Sequence, residues 1–457
     1  MKRAAYWLLV LAGVLALAAA VLATPERLAS LSGDGTVSKA LIEKVRWLRL
    51  WAGLGGGFSL VIAVWIRFRT IAAMVVLAAV VVWAGSFTKK LYPHNLLSQP
   101  MQLARAALGD EMLLSQFDPQ AKLVTPAHEV LRAKFPVINI HAHFRRWYQH
   151  WSPDALIQMM GECNVQHIVD LDGELAKSLR KEVETWSQPH PDKFTTLATF
   201  WFPDGKIDWN YFQQSVKDLD EAKSLGAKGI KIWKNIGLRT LDETGKIIPV
   251  DDPRLDPLWA KAGEHKLFFL IHVGDPAAFF DPTDRHNERY EELQANPDWA
   301  FNDPGTPPLG SILSQLERVM QRFPQVTFIV AHLGNRTDDL REAAGILDRN
   351  PNAYMDISAR LSELGRQPRA AREFFISYQD RLLFGTDGNP DASAYRVYFR
   401  FLETADEYFD YPFWPKFNYG RWKIYGVDLP DEVLRKLYHD NAAKILGLEL
   451  LGGPAAP

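Results

Sequence analysis

Eight short runs rich in β-branched and aromatic residues recur between about residue 130 and residue 390, and a longer, largely amphipathic stretch separates each from the next. They are FPVINIH (135–141), VQHIVDL (165–171), FTTLATF (194–200), KGIKIW (228–233), LFFLIH (267–272), VTFIVAH (326–332), NAYMDIS (352–358) and RLLFGTD (381–387). Strand-sized runs that alternate with helical patterns mark repeated βα units, whose strands lie parallel because each returns through a crossover helix. In one gap, DWNYFQQSVKDLDEAKSLG, the pattern predicts a helix that starts at a capping Asp208 and stops at Gly226. Eight units over about 320 residues match the usual size of an α/β (β/α)8 TIM barrel, whose chemistry sits where strands end and loops begin. An open, doubly wound sheet is the alternative. Against it, no Gly-rich phosphate loop follows any run, and polar residues gather at the last strand positions. The barrel is expected over residues 126–450.

Composition narrows the chemistry. The 52 Lys and Arg nearly cancel the 54 Asp and Glu, for a net charge of −2, so the chain has no basic field to hold a nucleic acid. The single cysteine, Cys163, excludes an internal disulfide framework and any Cys-rich metal site, so a metal must be held by His and carboxylate. Such residues stand at the strand ends. His141 and His143 close the first run as His-Ala-His, and the two-residue period of a strand points both rings to one side. His272 ends the fifth run, His332 the sixth and Asp387 the eighth, so in a barrel all five project at one rim. A lone His at a strand end is more often structural than functional; five metal-type residues on one rim are a different matter. This His-rich, oxygen-assisted, sulfur-free set predicts a divalent metal, Zn²⁺ first and then Mn²⁺, Fe²⁺ or Co²⁺.

The segments INIHAHF, FLIHVGDP, FIVAHLGN, LLFGTDGNP and DNAAKILGL resemble, in that order, the motifs of the amidohydrolase superfamily. The resemblance is to its amidohydrolase-related branch, which includes aminocarboxymuconate-semialdehyde decarboxylase, and it covers about residues 130–448. It implies that His141, His143, His272 and Asp387 bind one metal and that His332 stands beside the activated water as acid, base or orienter. Asp387 would take the proton from that water. The reaction so implied is hydrolysis of an amide, ester or lactone of a small molecule. A decarboxylase or hydratase acting on an unsaturated or aromatic acid shares the same kit, and a non-catalytic membrane scaffold is the third reading. The presence of all five polar positions counts against the scaffold.

Superfamily members with two metals often carry a carboxylated Lys at the end of strand four, and GIKIWK places Lys231 or Lys234 near there. Binding of a substrate carboxylate, or pairing with a rim acid, is the other role for such a lysine. Arg145 and Arg146, just past His143, are further candidates for gripping a substrate carboxylate. Two long insertions, 274–310 and 388–428, follow the fifth and eighth runs. The second is heavy in aromatics, including Tyr395, Tyr398, Phe399, Phe401, Tyr411, Trp414 and Trp422, which either line a pocket or bury a satellite core.

Ahead of the barrel, residues 4–23 follow Lys2 and Arg3 without a charge for 20 residues, enough to span a membrane as a helix or to serve as a signal peptide. Residues 51–66 and 70–87 form a second apolar pair, split by Arg67 and Arg69. Residues 1–90 therefore read as a membrane anchor in contact with lipid, and 91–125 as a linker or interfacial helix. Three spans with the N-terminus inside put the barrel on the extracytoplasmic side; the Lys and Arg count near the spans opposes that orientation, and the signal-like start supports it.

Overall fold

The computed structural model describes residues 112–117, 119–144, 151–411 and 420–450. The anchor expected at 1–90, part of the 91–125 linker, and both Arg145 and Arg146 lie outside the described residues. Among the described residues no helix is long and apolar enough to cross a membrane.

The eight apolar runs become eight strands: β1 (Val137–Ala142), β2 (Val165–Glu174), β3 (Phe194–Phe200), β4 (Gly229–Ile232), β5 (Phe268–Ile271), β6 (Phe328–Val330), β7 (Ala353–Asp356) and β8 (Leu382–Leu383). They form one parallel sheet in the order β1-β2-β3-β4-β5-β6-β7-β8. The first and last strands meet through backbone hydrogen bonds. The Ile140 amide donates to the Phe384 carbonyl at 3.0 Å, the Asp387 amide to His141 at 2.9 Å and the His143 amide to Gly388 at 3.0 Å. The predicted (β/α)8 barrel is thus the observed fold. The predicted helix after β3 also forms, broken once, as Trp209–Lys217 and Leu219–Ser224, with Asp208 accepting from the Asn210 and Tyr211 amides.

Two apolar clusters divide the side chains of each strand by its period of two. Ile138, Ile140, Val169, Leu171, Leu197, Phe268, Leu270, Ile329 and Leu383 form the smaller one, joined by Ala442, Ala443 and Leu446 from the last helix. Val137, Ile168, Ala198, Phe269, Phe328 and Leu382 belong to the larger one, which includes the crossover helices. The first fills the barrel and the second seals strands to helices. Trp259, fully buried, packs edge-on against Phe269 at 4.9 Å, and Phe269 stacks on Phe328 at 5.4 Å. Each such ring contributes roughly 1.5–3 kcal/mol through apolar burial.

One irregularity positions the site. Between Asn139 and Ala142, β1 advances three residues while β2 advances two, from Ile168 to Asp170. This bulge leaves Ile138 and Ile140 in the interior cluster and turns His141 inward as well, where it reaches Asp356. Asn139 points the other way, and its amide donates to Thr386 Oγ1 at 2.9 Å and to the Tyr395 hydroxyl at 3.0 Å. Strict two-residue alternation does not anticipate this change of face. Opposite the bulge, a Cβ on Gly385 would lie 2.8 Å from His141 Cβ and 3.3 Å from Ser358 Cβ. Gly385→Ala is therefore expected to destabilise the fold by about 1–3 kcal/mol, as overpacking does. Urea unfolding of the variant against the parent measures this, and an unchanged midpoint would show that the contact is not tight.

Candidate metal centre and catalytic rim

The last strands are shorter than their apolar runs because the chain leaves the sheet to present its polar residues. After β6, His332 and Leu333 adopt left-handed backbone angles (φ 60° and 53°), and after β8 so does Asp387 (φ 59°). Each such non-glycine residue costs about 1–3 kcal/mol, a cost the surrounding contacts must offset.

Asp387 is where the imidazoles meet. Its Oδ1 lies 3.2 Å from His141 Nε2 and 3.2 Å from His143 Nε2, while its Oδ2 lies 3.7 Å from His332 Nε2. Ligand-type atoms of His141, His143 and Asp387 all fall within 4.8 Å of one another. A second such group, His141, His332 and Asp356, is already joined by hydrogen bonds: His141 Nδ1 meets Asp356 Oδ2 at 3.0 Å and the His332 amide donates to Asp356 Oδ1 at 3.1 Å. The first group is the one left open to an ion.

Each ring is aimed from behind. His143 Nδ1 meets Asp172 Oδ1 at 2.7 Å, and His141 Nδ1 meets Asp356 and also Ser358 Oγ at 3.0 Å. His332 Nδ1 lies 2.8 Å from the Ser358 carbonyl, which can only accept, so Nδ1 carries the proton and Nε2 the lone pair. The Nε2 atoms of His143, His272 and His332 are buried and have no hydrogen-bond partner. His141 and His143, each backed by a carboxylate, turn their far nitrogens to one further carboxylate, and the buried Nε2 atoms of His143 and His332 beside it lack a partner; such a set fits a divalent metal.

The charges agree with that geometry. Burial works to lower the pKa of His143, but Asp172 and Asp387 outweigh it and hold it above the usual value. Burial works to raise Asp387, and the surrounding His141 and His332 hold it well below the carboxylate range instead, so it is ionised at neutral pH. His332 is pushed well below the ordinary imidazole value by burial, reinforced by the charges of His272 and Arg360.

His272 is in neither ligand group, although its ring meets that of His332 edge-on with centroids 4.4 Å apart. Its Nε2 lies 3.4 Å from Asp275 Oδ1, in a geometry that makes no hydrogen bond, and Asp275 is ion-paired with Lys234. Burial lowers the His272 pKa to about 4 against the pull of Asp275. The two lysines of strand four therefore separate: Lys234 faces Asp275, whereas Lys231, wholly buried, places Nζ 3.3 Å from His141 Nε2. Trp233 lies 5.0 Å from the His143 ring and 6.3 Å from the half-exposed Trp201. Beside Asp387 opens a cavity of about 150 Å³, lined in part by Ser362, Asn389 and Tyr411. Of the aromatics in the second insertion, Tyr395, Tyr398, Phe399 and Phe401 are buried in the core, and Tyr411 reaches the cavity. Sequence reasoning did not single out Asp172, Asp356, Ser358 or Arg360. The first two stand near the ends of their strands, as in VDLD and YMDI, which is the signal that marked the histidines.

Comparison with known proteins now has a geometry to meet. A family model described as Amidohydrolase matches residues 205–448, a little more than half of the chain. The chain belongs to the amidohydrolase family, and it is a metal-dependent enzyme of that superfamily. No curated protein sequence matches it. Among solved structures it is similar to a 2,6-dihydroxybenzoate decarboxylase complexed with 2,6-dihydroxybenzoate, at 13% identity and a TM-score of 0.44, over 69% of this chain and 100% of that one. It is also similar to an amidohydrolase from Burkholderia multivorans with bound zinc (13% identity, TM-score 0.40, 69% of this chain and 100% of that one). A 4-oxalomesaconate hydratase from Rhodopseudomonas palustris matches at 14% identity and a TM-score of 0.39, over 68% of this chain and 95% of that one.

The burial of His332 generates a pH prediction. An ordinary imidazole gains a proton as pH falls through about 6.5; with its pKa lowered, His332 is expected to stay neutral, proton on Nδ1, as the pH falls through that point. Long-range ¹H–¹⁵N spectra of the histidine rings report tautomer and charge, and a His332 titration near pH 6.5 would contradict the geometry.

Proposed function

We propose that this chain is a membrane-attached hydrolase that uses one divalent metal, Zn²⁺ by its donor set, to cleave an amide, ester or lactone bond in a small molecule. The observation that carries the reading is the meeting of His141 Nε2 and His143 Nε2 on one oxygen of an ionised Asp387, with the neutral His332 facing the other. In this reading His141, His143 and Asp387 hold the metal, and His272 joins them by turning from Asp275. A metal held there supplies Lewis acidity and makes water nucleophilic at neutral pH. The residues do the rest. Asp387 Oδ2, the oxygen not shared by the two imidazoles, accepts the proton shed by the attacking water. His332 Nε2, carrying a lone pair, orients that water and then takes the proton on from Asp387; the imidazolium so formed stabilises negative charge on the carbonyl oxygen and delivers the same proton to the leaving group. Lys231 and the partly buried Trp233 bound the space in which the substrate lies, and their burial keeps bulk water away from the proton path.

Metal analysis and turnover test this directly. Full-length protein is expected to hold one equivalent of metal and to hydrolyse members of a panel of lactones and aryl esters, without releasing carbon dioxide from aromatic acids. His332→Ala is expected to keep its metal and lose roughly 10²–10⁴ in kcat, the usual worth of a positioned acid–base group. Asp172→Asn is expected to weaken metal binding about 10- to 100-fold through His143. Carbon dioxide release in place of hydrolysis, or full metal retention after both His141→Ala and His143→Ala, would overturn the reading.

Membrane attachment rests on the uncharged run at 4–23 and the apolar pair at 51–66 and 70–87, and the signal-like start supports an extracytoplasmic barrel. Alkaline phosphatase fused after residue 120 is expected to be active and a fluorescent protein there dark. The reverse pattern would place the barrel in the cytoplasm.

A further inference from the structure

Asn139 lies within β1, two residues before His141, and is wholly buried. Its side-chain oxygen accepts from the His141 amide at 3.1 Å. A peptide N–H can only donate, so this contact fixes which end of the carboxamide is oxygen and turns Nδ2 to two hydroxyls, Thr386 Oγ1 at 2.9 Å and that of Tyr395 at 3.0 Å. Thr386 precedes Asp387, and the amides of both residues donate to the His141 carbonyl, at 3.2 and 2.9 Å. The backbone of His141 is thus tied to the Asp387 turn twice, directly through its carbonyl and through Asn139 at its amide. Tyr395 holds the same carboxamide from the helix Ala392–Glu403, with its ring packed in the core on Phe384 and Phe399. That contact runs to a helix and not to the turn.

Both His141 and Asp387 need such a hold. His141 sits at the bulge of β1, where the regular ladder is interrupted, and Asp387 keeps φ at 59°, a left-handed conformation that surrounding contacts must over-determine. We infer that Asn139 is a positioning residue for the metal centre: its carboxamide sets His141 against Asp387 by holding the bulge at one end and the turn at the other, without touching ion or substrate. The inference rests on the reading of His141, His143 and Asp387 as ligands and adds what keeps two of them in register. Asp356 and Asp172 aim imidazole rings from behind, whereas Asn139 acts on the backbone that carries the ligands. An aliphatic side chain of similar size would fill the same space and leave the buried His141 amide without this acceptor.

Two hydrogen bonds of one carboxamide separate positioning from stability. Thr386→Val and Tyr395→Phe each leave one Nδ2 hydrogen of Asn139 unpaired, and each is expected to lower the melting temperature of the metal-free, full-length protein to a similar degree. Only Thr386→Val is expected to weaken zinc, roughly 10-fold by chelator competition, and to shift the visible absorption bands of the cobalt-loaded protein. Thr386→Ser, which keeps Oγ, is expected to restore both. Asn139→Leu is expected to weaken zinc by up to about 100-fold, and if it does not fold the Thr386 and Tyr395 variants carry the comparison. Parent-like zinc affinity and cobalt bands in Thr386→Val, or an equal loss in Tyr395→Phe, would overturn the inference and leave the ligand assignment standing. A parent that binds no zinc would overturn the ligand assignment itself, and the inference with it.

Discussion

The buried carboxylate of Asp356 is the contact on which the rim depends. Its Oδ2 meets His141 Nδ1 at 3.0 Å, while Oδ1 accepts from the His332 and Ser358 amides at 3.1 and 3.0 Å and from the Ser358 hydroxyl. One residue thus orients a ring from β1, fixes the unusual backbone after β6 and anchors the turn after its own strand. Burial opposes its charge, and the contacts with His141, His332 and Ser358 hold it ionised, well below the usual carboxylate range. Removing one partner from such an arrangement leaves a buried polar group unsatisfied, which costs more than the contact itself contributes. The open nitrogens of the site are in this sense a product of what lies behind them.

That dependence explains what could be read from the sequence and what could not. All eight strands were legible, since each is a local run of apolar residues with helical spacing between, and His141, His143, His332 and Asp387 were legible from their places at strand ends. Their partners were not. Asp356 is 215 residues from His141, and no local period connects them. The bulge in β1 was equally hidden, because it is set by how the strand meets its neighbour rather than by its own pattern. His272 illustrates the same limit. Its position at a strand end put it on the rim, and only the fold shows that its ring packs edge-on against His332 with Asp275, itself drawn to Lys234, beside its Nε2.

The insertions show why residue type alone misleads. Counting aromatics after β8 left a pocket lining and a satellite core both open, and the fold divides them: Tyr395, Tyr398 and Phe399 pack around Phe384 and Tyr438 to hold the last strand in place. Tyr411 alone among the described aromatics of that segment lines the cavity at Asp387. The insertion after β5 is fastened by ion pairs, with Glu288 to Arg366, Glu291 to Arg421 and Arg289 to Glu363. Their charges are spent on one another, which fixes the insertion against the segment that follows β7.

The central claim is that His141, His143 and Asp387 hold a single divalent ion. Anomalous diffraction at the zinc edge from crystals of the zinc-loaded protein tests it most directly. The account predicts one peak, bounded by Nε2 of both histidines and the Asp387 carboxylate. Two peaks bridged at Lys231, or a peak elsewhere with these three side chains unliganded, would contradict it.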